Sequence, residues 1–103
     1  LTLPPAPACL AIPAPTDATR RDAVAARAAA AGGRELALAG DRVGAATAFA
    51  RAVALDPQVA AYAYDLGRAA EETGDRRRAV VAYCRVLALA PQGALAQEVR
   101  ARL

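Results

Sequence analysis

Histidine, lysine, serine, asparagine, methionine and tryptophan are all missing from the chain. Without histidine, serine or lysine, the common nucleophile–base triads and Schiff-base chemistry have no carriers. The two cysteines, Cys9 and Cys84, have no histidine partner, and their spacing forms no zinc motif. Glu71 and Glu72 are adjacent, and neighbours on a helix point in different directions, so they do not make a paired-carboxylate site. The glycines follow no phosphate-loop pattern. These absences argue against an enzyme, and no cofactor or metal is expected. No apolar run approaches the roughly 18 residues that a bilayer span requires. Aromatics make up 4% of the chain and the net charge is +3. The concentrated basic patch with stacking rings that nucleic acid calls for is therefore missing too.

What is present is mostly alanine. The chain has 103 residues and an apolar fraction of 56%, enough for one small domain and too little for two. Alanine has the best helix propensity and little bulk, so helices rich in it can approach closely. Strand formers are scarce and scattered, and an all-α fold is expected. All 13 cationic side chains are arginine, which with the alanine content suggests a GC-rich, bacterial-type coding sequence. The chain begins at Leu1 rather than Met, which reads as a processed or truncated product; a signal peptide could already have been removed, so its absence says nothing about compartment.

Five of the seven prolines lie in residues 1–15, LTLPPAPACLAIPAP. Proline fixes φ and removes donors, so this arm is expected to be extended. Leu1, Leu3, Leu10 and Ile12 make it apolar, which suits a segment held against a surface; a flexible linker is the plainer alternative. Thr16 and Asp17 offer an N-cap, and the pattern beyond is helical to Ala39, with Gly32-Gly33 as its soft point. Gly40-Asp41 separates that helix from a second, about Arg42 to Leu55, closed by Asp56-Pro57. A third covers about Gln58 to Thr73, up to Gly74-Asp75. A fourth runs from about Arg76 to Leu89, before Pro91, and a short fifth from about Gly93 to Leu103.

These landmarks repeat. An offset of 34 links Gly33 to Gly67, Gly40 to Gly74, Asp41 to Asp75, Ala45 to Ala79, Phe49 to Tyr83, Leu55 to Leu89 and Pro57 to Pro91. Alanine coincidences are cheap in this composition; the Gly-Asp, aromatic and proline matches are not. Each position has a physical task. Gly33 and Gly67 let two helices approach. Gly40 and Gly74 supply the positive φ that ends a helix, and the Asp that follows caps the next.

The period, with Leu66-Gly67, Ala79-x3-Tyr83 and Pro91 in one unit and Gly33, Ala45-x3-Phe49 and Pro57 in the other, resembles the tetratricopeptide repeat. The resemblance implies helix–turn–helix units at 26–59 and 60–93, a solvating helix at 94–103 and the Pro-rich arm at 1–15, with 16–103 forming one helical domain, a short right-handed α-solenoid. Ala29 and Ala63 stand where such units carry a bulky aromatic, and Gly32 where Leu is usual, so the first unit should pack less densely. Tyr62 and Tyr64 flank the aromatic position of the second unit.

Two units and one helix fall short of the three or so repeats usually needed, so something else must add stability. The residue after the aromatic in such units usually faces outward, yet Val81, Cys84 and Ala88 recur at helical spacing as an apolar stripe. The expectation is that the arm lies across this stripe and that Cys9 pairs with Cys84. The alternative is two free thiols. A bridge would point to a periplasmic or secreted location; without it, the cytoplasm is the alternative.

The resemblance also implies a concave groove lined by the first helix of each unit, which holds a protein or peptide partner. In that register the groove candidates are Arg27, Arg34, Tyr64, Asp65, Arg68, Glu72 and Arg102. Arg34, Arg68 and Arg102 are again 34 apart and are expected to form a ladder that could grip an acidic peptide or a C-terminal carboxylate; a merely solvated face is the bland reading. The clamp positions of better-known members fall on Arg27, Ala31, Ala61 and Asp65, so their specificity is not implied. The functional expectation is an interaction scaffold, with self-association or extension of a larger solenoid as the alternative.

Overall fold

The computed structural model describes residues 6–12 and 21–103. Among these the chain is all-helical, with a short 3-10 turn at Pro7–Cys9 followed by α1 (Ala23–Leu38), α2 (Arg42–Leu55), α3 (Ala60–Glu72), α4 (Arg76–Leu89) and α5 (Ala94–Arg102).

The boundaries follow from local chemistry. Asp22, Asp41 and Asp75 cap α1, α2 and α4, their side chains accepting from Ala25 N at 3.0 Å, Gly44 N at 2.8 Å and Arg78 N at 3.1 Å. α1 ends in a paired motif, with Asp41 N donating to Leu36 O at 2.9 Å and Gly40 N to Ala37 O at 3.1 Å, and α3 repeats it with Asp75 to Ala70 and Gly74 to Glu71. The motif needs a left-handed residue, and Gly40 at φ 87° and Gly74 at φ 80° supply it.

Three expectations shift. The cap proposed at Thr16-Asp17 lies outside the described residues, and the helix expected to run from there begins at Ala23, after the Asp22 cap. There Asp22 N donates to Leu55 O at 2.8 Å and Arg21 Nε to Asp56 Oδ1 at 2.8 Å, which pins residues 21–22 to the end of α2. α3 begins at Ala60 rather than Gln58, because Asp56-Pro57 leads into a turn. The arm is not extended throughout. Pro7, its φ already set for a helical start, opens a turn closed by Cys9 N to Ala6 O at 2.8 Å. Gly32-Gly33, by contrast, does not interrupt α1.

The helices stack in chain order as hairpins. α1 packs on α2 and α3 on α4; α2 joins the hairpins through α3, and α5 packs on α4. The architecture is a short solenoid of two helical hairpins plus a closing helix. Its core has two centres. The larger gathers around Tyr83 and Val86, with Ala63, Ala70, Ala96 and Val99; the smaller joins Phe49 to Ala45, Ala46 and Ala69. The first hairpin is thus the more sparsely filled.

The arm meets α4. Ala6 is buried against the larger core, and Cys9 and Cys84 lie at disulfide distance, 5.4 Å between Cα atoms. Only part of the stripe is covered: Cys84 is buried, whereas Val81 and Ala88 stay exposed.

Candidate functional site

Between the hairpins, α1, α2 and α3 enclose an open groove of about 440 Å³. Phe49, Ala45 and Ala69 form its apolar floor, and Arg34, Asp65 and Arg68 stand on its walls. α2 supplies the floor because Ala45 and Phe49 lie four apart on one face, and α1 and α3 supply the walls because they flank α2. Arg42 of α2 and Glu72 of α3 pair across the edge at 3.6 Å.

Of the seven residues expected to line a groove, five do: Arg34, Tyr64, Asp65, Arg68 and Glu72. Arg27 is exposed on α1 and lines neither this groove nor the next. Arg102 lines a separate depression with Glu71, Gly74 and Arg76. The arginine ladder is therefore not a row of free cations. Arg102 binds Glu71 at 3.0 Å and Glu98 at 3.3 Å. Arg68 donates to the Tyr64 hydroxyl at 3.1 Å and lies 3.9 Å from Glu98, and Tyr64 in turn donates to Glu98. Arg34 makes no ion pair within 4.0 Å among the described residues.

The carboxylates respond in opposite senses. Burial pushes Asp65 above its ordinary value, with Arg34 and then Arg68 opposing the rise. The Tyr64 hydroxyl, helped by Arg102 and Arg68, holds Glu98 below its ordinary value. Beneath the second depression, the Tyr83 hydroxyl and Glu71 Oε1 are both buried, and neither makes a well-formed hydrogen bond among the described residues. Burial first, then the adjacent Glu71 carboxylate, raises the Tyr83 phenol far above its usual 10.0.

Ala37 and Leu38, which also border the groove, escaped sequence reasoning, as did Glu71 and Glu98, which restrain the arginines. The repeat could have pointed to Glu98, which is 34 beyond Tyr64. Nothing comparable marked the buried Asp56, which is 3% exposed and holds Arg21.

Among the described residues, no cluster of three metal-ligating side chains occurs, and no helix is long and apolar enough to cross a membrane. Comparison with known protein families, with curated proteins and with solved structures finds no match.

Proposed function

We propose that this chain is an interaction module of the tetratricopeptide type, a non-catalytic scaffold that holds a segment of another protein in the groove between α1, α2 and α3. The observation that carries the reading is an open groove between two stacked hairpins, with Phe49, Ala45 and Ala69 at its base, exposed Ala37 and Leu38 at its edge and charged side chains of both signs on its walls. That combination suits a polypeptide, which brings apolar side chains together with backbone donors and acceptors. The Cys9–Cys84 pair supports an oxidising compartment, the periplasm or the extracellular space, since such bridges persist there.

The test is a display library of short random peptides, panned against the full oxidised chain and against Ala37→Trp. Ala37 is exposed at the groove edge, so the indole fills the opening without disturbing the core. Peptides retained by the parent and lost by the variant support the reading. Retention by both, or by neither, sinks it. Light scattering of the free chain checks the structural alternative, because a stable dimer that buries the groove would leave no place for a partner.

A further inference from the structure

The chain carries this groove twice, and in the second copy its own side chains cover the aromatic floor, leaving a depression of about 430 Å³ beside it. Adding 34 to the residues of the first copy lands on the second: Arg34 becomes Arg68, Ala37 becomes Glu71, Arg42 becomes Arg76, Phe49 becomes Tyr83 and Arg68 becomes Arg102. The depression lined by Glu71, Arg76 and Arg102 is what remains of it. Two substitutions of chemistry cover its floor. Val99, at the place of Asp65, is fully buried in the core around Tyr83, and Leu103, at the place of Ala69, packs on the same core. Arg102 then reaches across to Glu71 at 3.0 Å.

The first copy lacks both parts. Asp65 and Ala69 bring no large aliphatic group over Phe49, and Ala37 gives Arg68 no carboxylate to reach. Arg68 is left with a hydroxyl and a distant share in Glu98, which Arg102 holds more closely, at 3.3 Å against 3.9 Å. Arg42 is matched by Glu72. Of the charged side chains that line the groove, three are guanidiniums (Arg34, Arg42 and Arg68) and two are carboxylates (Asp65 and Glu72), and Arg34 of α1 stands opposite Asp65 and Arg68 of α3 with no ion pair of its own within 4.0 Å among the described residues.

We infer that the first groove takes a segment of another protein that carries one aliphatic side chain next to one carboxylate, the pair that Leu103 and Glu71 supply to the second groove. The aliphatic group lies over Phe49, and the carboxylate sits between Arg34 and Arg68. A run of acidic residues is disfavoured, because Asp65 would face every carboxylate after the first. This inference rests on the groove reading above and specifies its ligand.

Sequencing the retained peptides, and measuring the tightest by fluorescence anisotropy, tests it. The expected motif pairs a single Asp or Glu with Leu, Ile or Val, and replacing that acid by its amide weakens binding about tenfold or more, in keeping with a lost charge-assisted contact. Ala37→Glu, which copies Glu71 and offers Arg68 an internal carboxylate, should weaken these peptides by a similar factor while its melting temperature stays at the parent's. Arg34→Gln gives an independent check in the same direction. Peptides that need an open groove yet contain no acid, and bind Ala37→Glu as well as the parent, overturn the inference and leave the groove reading standing. If no peptide depends on the groove, both fall.

Discussion

Gly33 and Gly67 lie under the rings of Phe49 and Tyr83, so closely that a Cβ on Gly33 would be 2.7 Å from Phe49 Cε1 and one on Gly67 would be 2.4 Å from Tyr83 Cε1. Neither ring can retreat cheaply, since Phe49 is 5% exposed and Tyr83 is at 0%. Gly32, next to Gly33, has nothing within 4 Å of its would-be Cβ. Helix propensity favours alanine over glycine by about 1 kcal/mol at each site, and overpacking costs about 1–3 kcal/mol where there is no room. Gly67→Ala is thus expected to destabilise the fold, and Gly32→Ala to stabilise it by about 0.5–1 kcal/mol. Urea titration of both variants decides the matter; equal and favourable shifts would mean that the ring contacts are not tight. The Tyr83 hydroxyl invites a second substitution at this scale. Its hydrogen bond is poorly formed, and Phe49 fills the same position of the first hairpin without a hydroxyl. Tyr83→Phe should therefore leave stability unchanged or raise it by up to about 1 kcal/mol. Because the phenol's folded value lies above the unfolded one, the parent loses stability as pH rises past 10.0, and the variant should lose less. A marked loss of stability at pH 7 would instead show a hydroxyl that is fully satisfied.

At the scale of elements, most of the fold was legible because short-range chemistry fixes it. The bounds of α2 and α4 follow from an Asp cap on one side and Asp56-Pro57 or Pro91 on the other. The start of α1 was only partly legible: Asp22 caps it locally, but the choice of Asp22 is reinforced by Arg21 meeting Asp56, a contact 35 residues apart in the chain. For the groove, register alone placed Arg34, Asp65 and Arg68 together. It missed the state of the arginines, because Glu71 of α3 reaches Arg102 of α5 and Glu98 of α5 reaches Arg68 of α3; the Glu98–Arg102 pair, four apart on α5, is the local one. The docking of α5 on α3 through Glu98 has a pH signature. Glu98 is held below its ordinary 4.5, so its stabilisation is present above that pH and is lost as pH falls through the lower folded value. Asp65 is raised above its ordinary 3.8, so its effect is the reverse: stability is greatest with the carboxyl protonated and declines as pH rises through the raised value. At pH 7, Glu98→Gln should melt below the parent and Asp65→Asn above it. On acidification the Asp65 difference should fade first, as pH falls through its raised value, and the Glu98 difference later, as pH falls through its lowered one. Variants that shift in the same direction at neutral pH would contradict this assignment.

At the scale of the molecule, the difficulty is size. Two hairpins and one helix bury few large side chains; among the described residues only Tyr83, Val86 and Val99 are large and fully enclosed. The arm compensates in two ways. Ala6 adds to the core around Tyr83, and a Cys9–Cys84 bridge would join positions separated by 75 residues, across almost the whole solenoid. In the chain-entropy treatment, a closed loop of that length stabilises the fold by about 4.5 kcal/mol. For a domain of this size that is a large share of the expected net stability, and it corresponds to a melting shift of roughly 20 °C or more. Comparing the oxidised chain with Cys9→Ala/Cys84→Ala measures this directly, and a reductant added to the parent should reproduce the variant. Burial of Ala6 and Cys84 makes one further outcome distinctive. Without the bridge, α4 loses its cover before α1 and α2 lose theirs, so hydrogen exchange should quicken first around Cys84 and Leu87. Identical melting of the two forms would show that helix packing alone sustains the solenoid, with the arm merely resting on it.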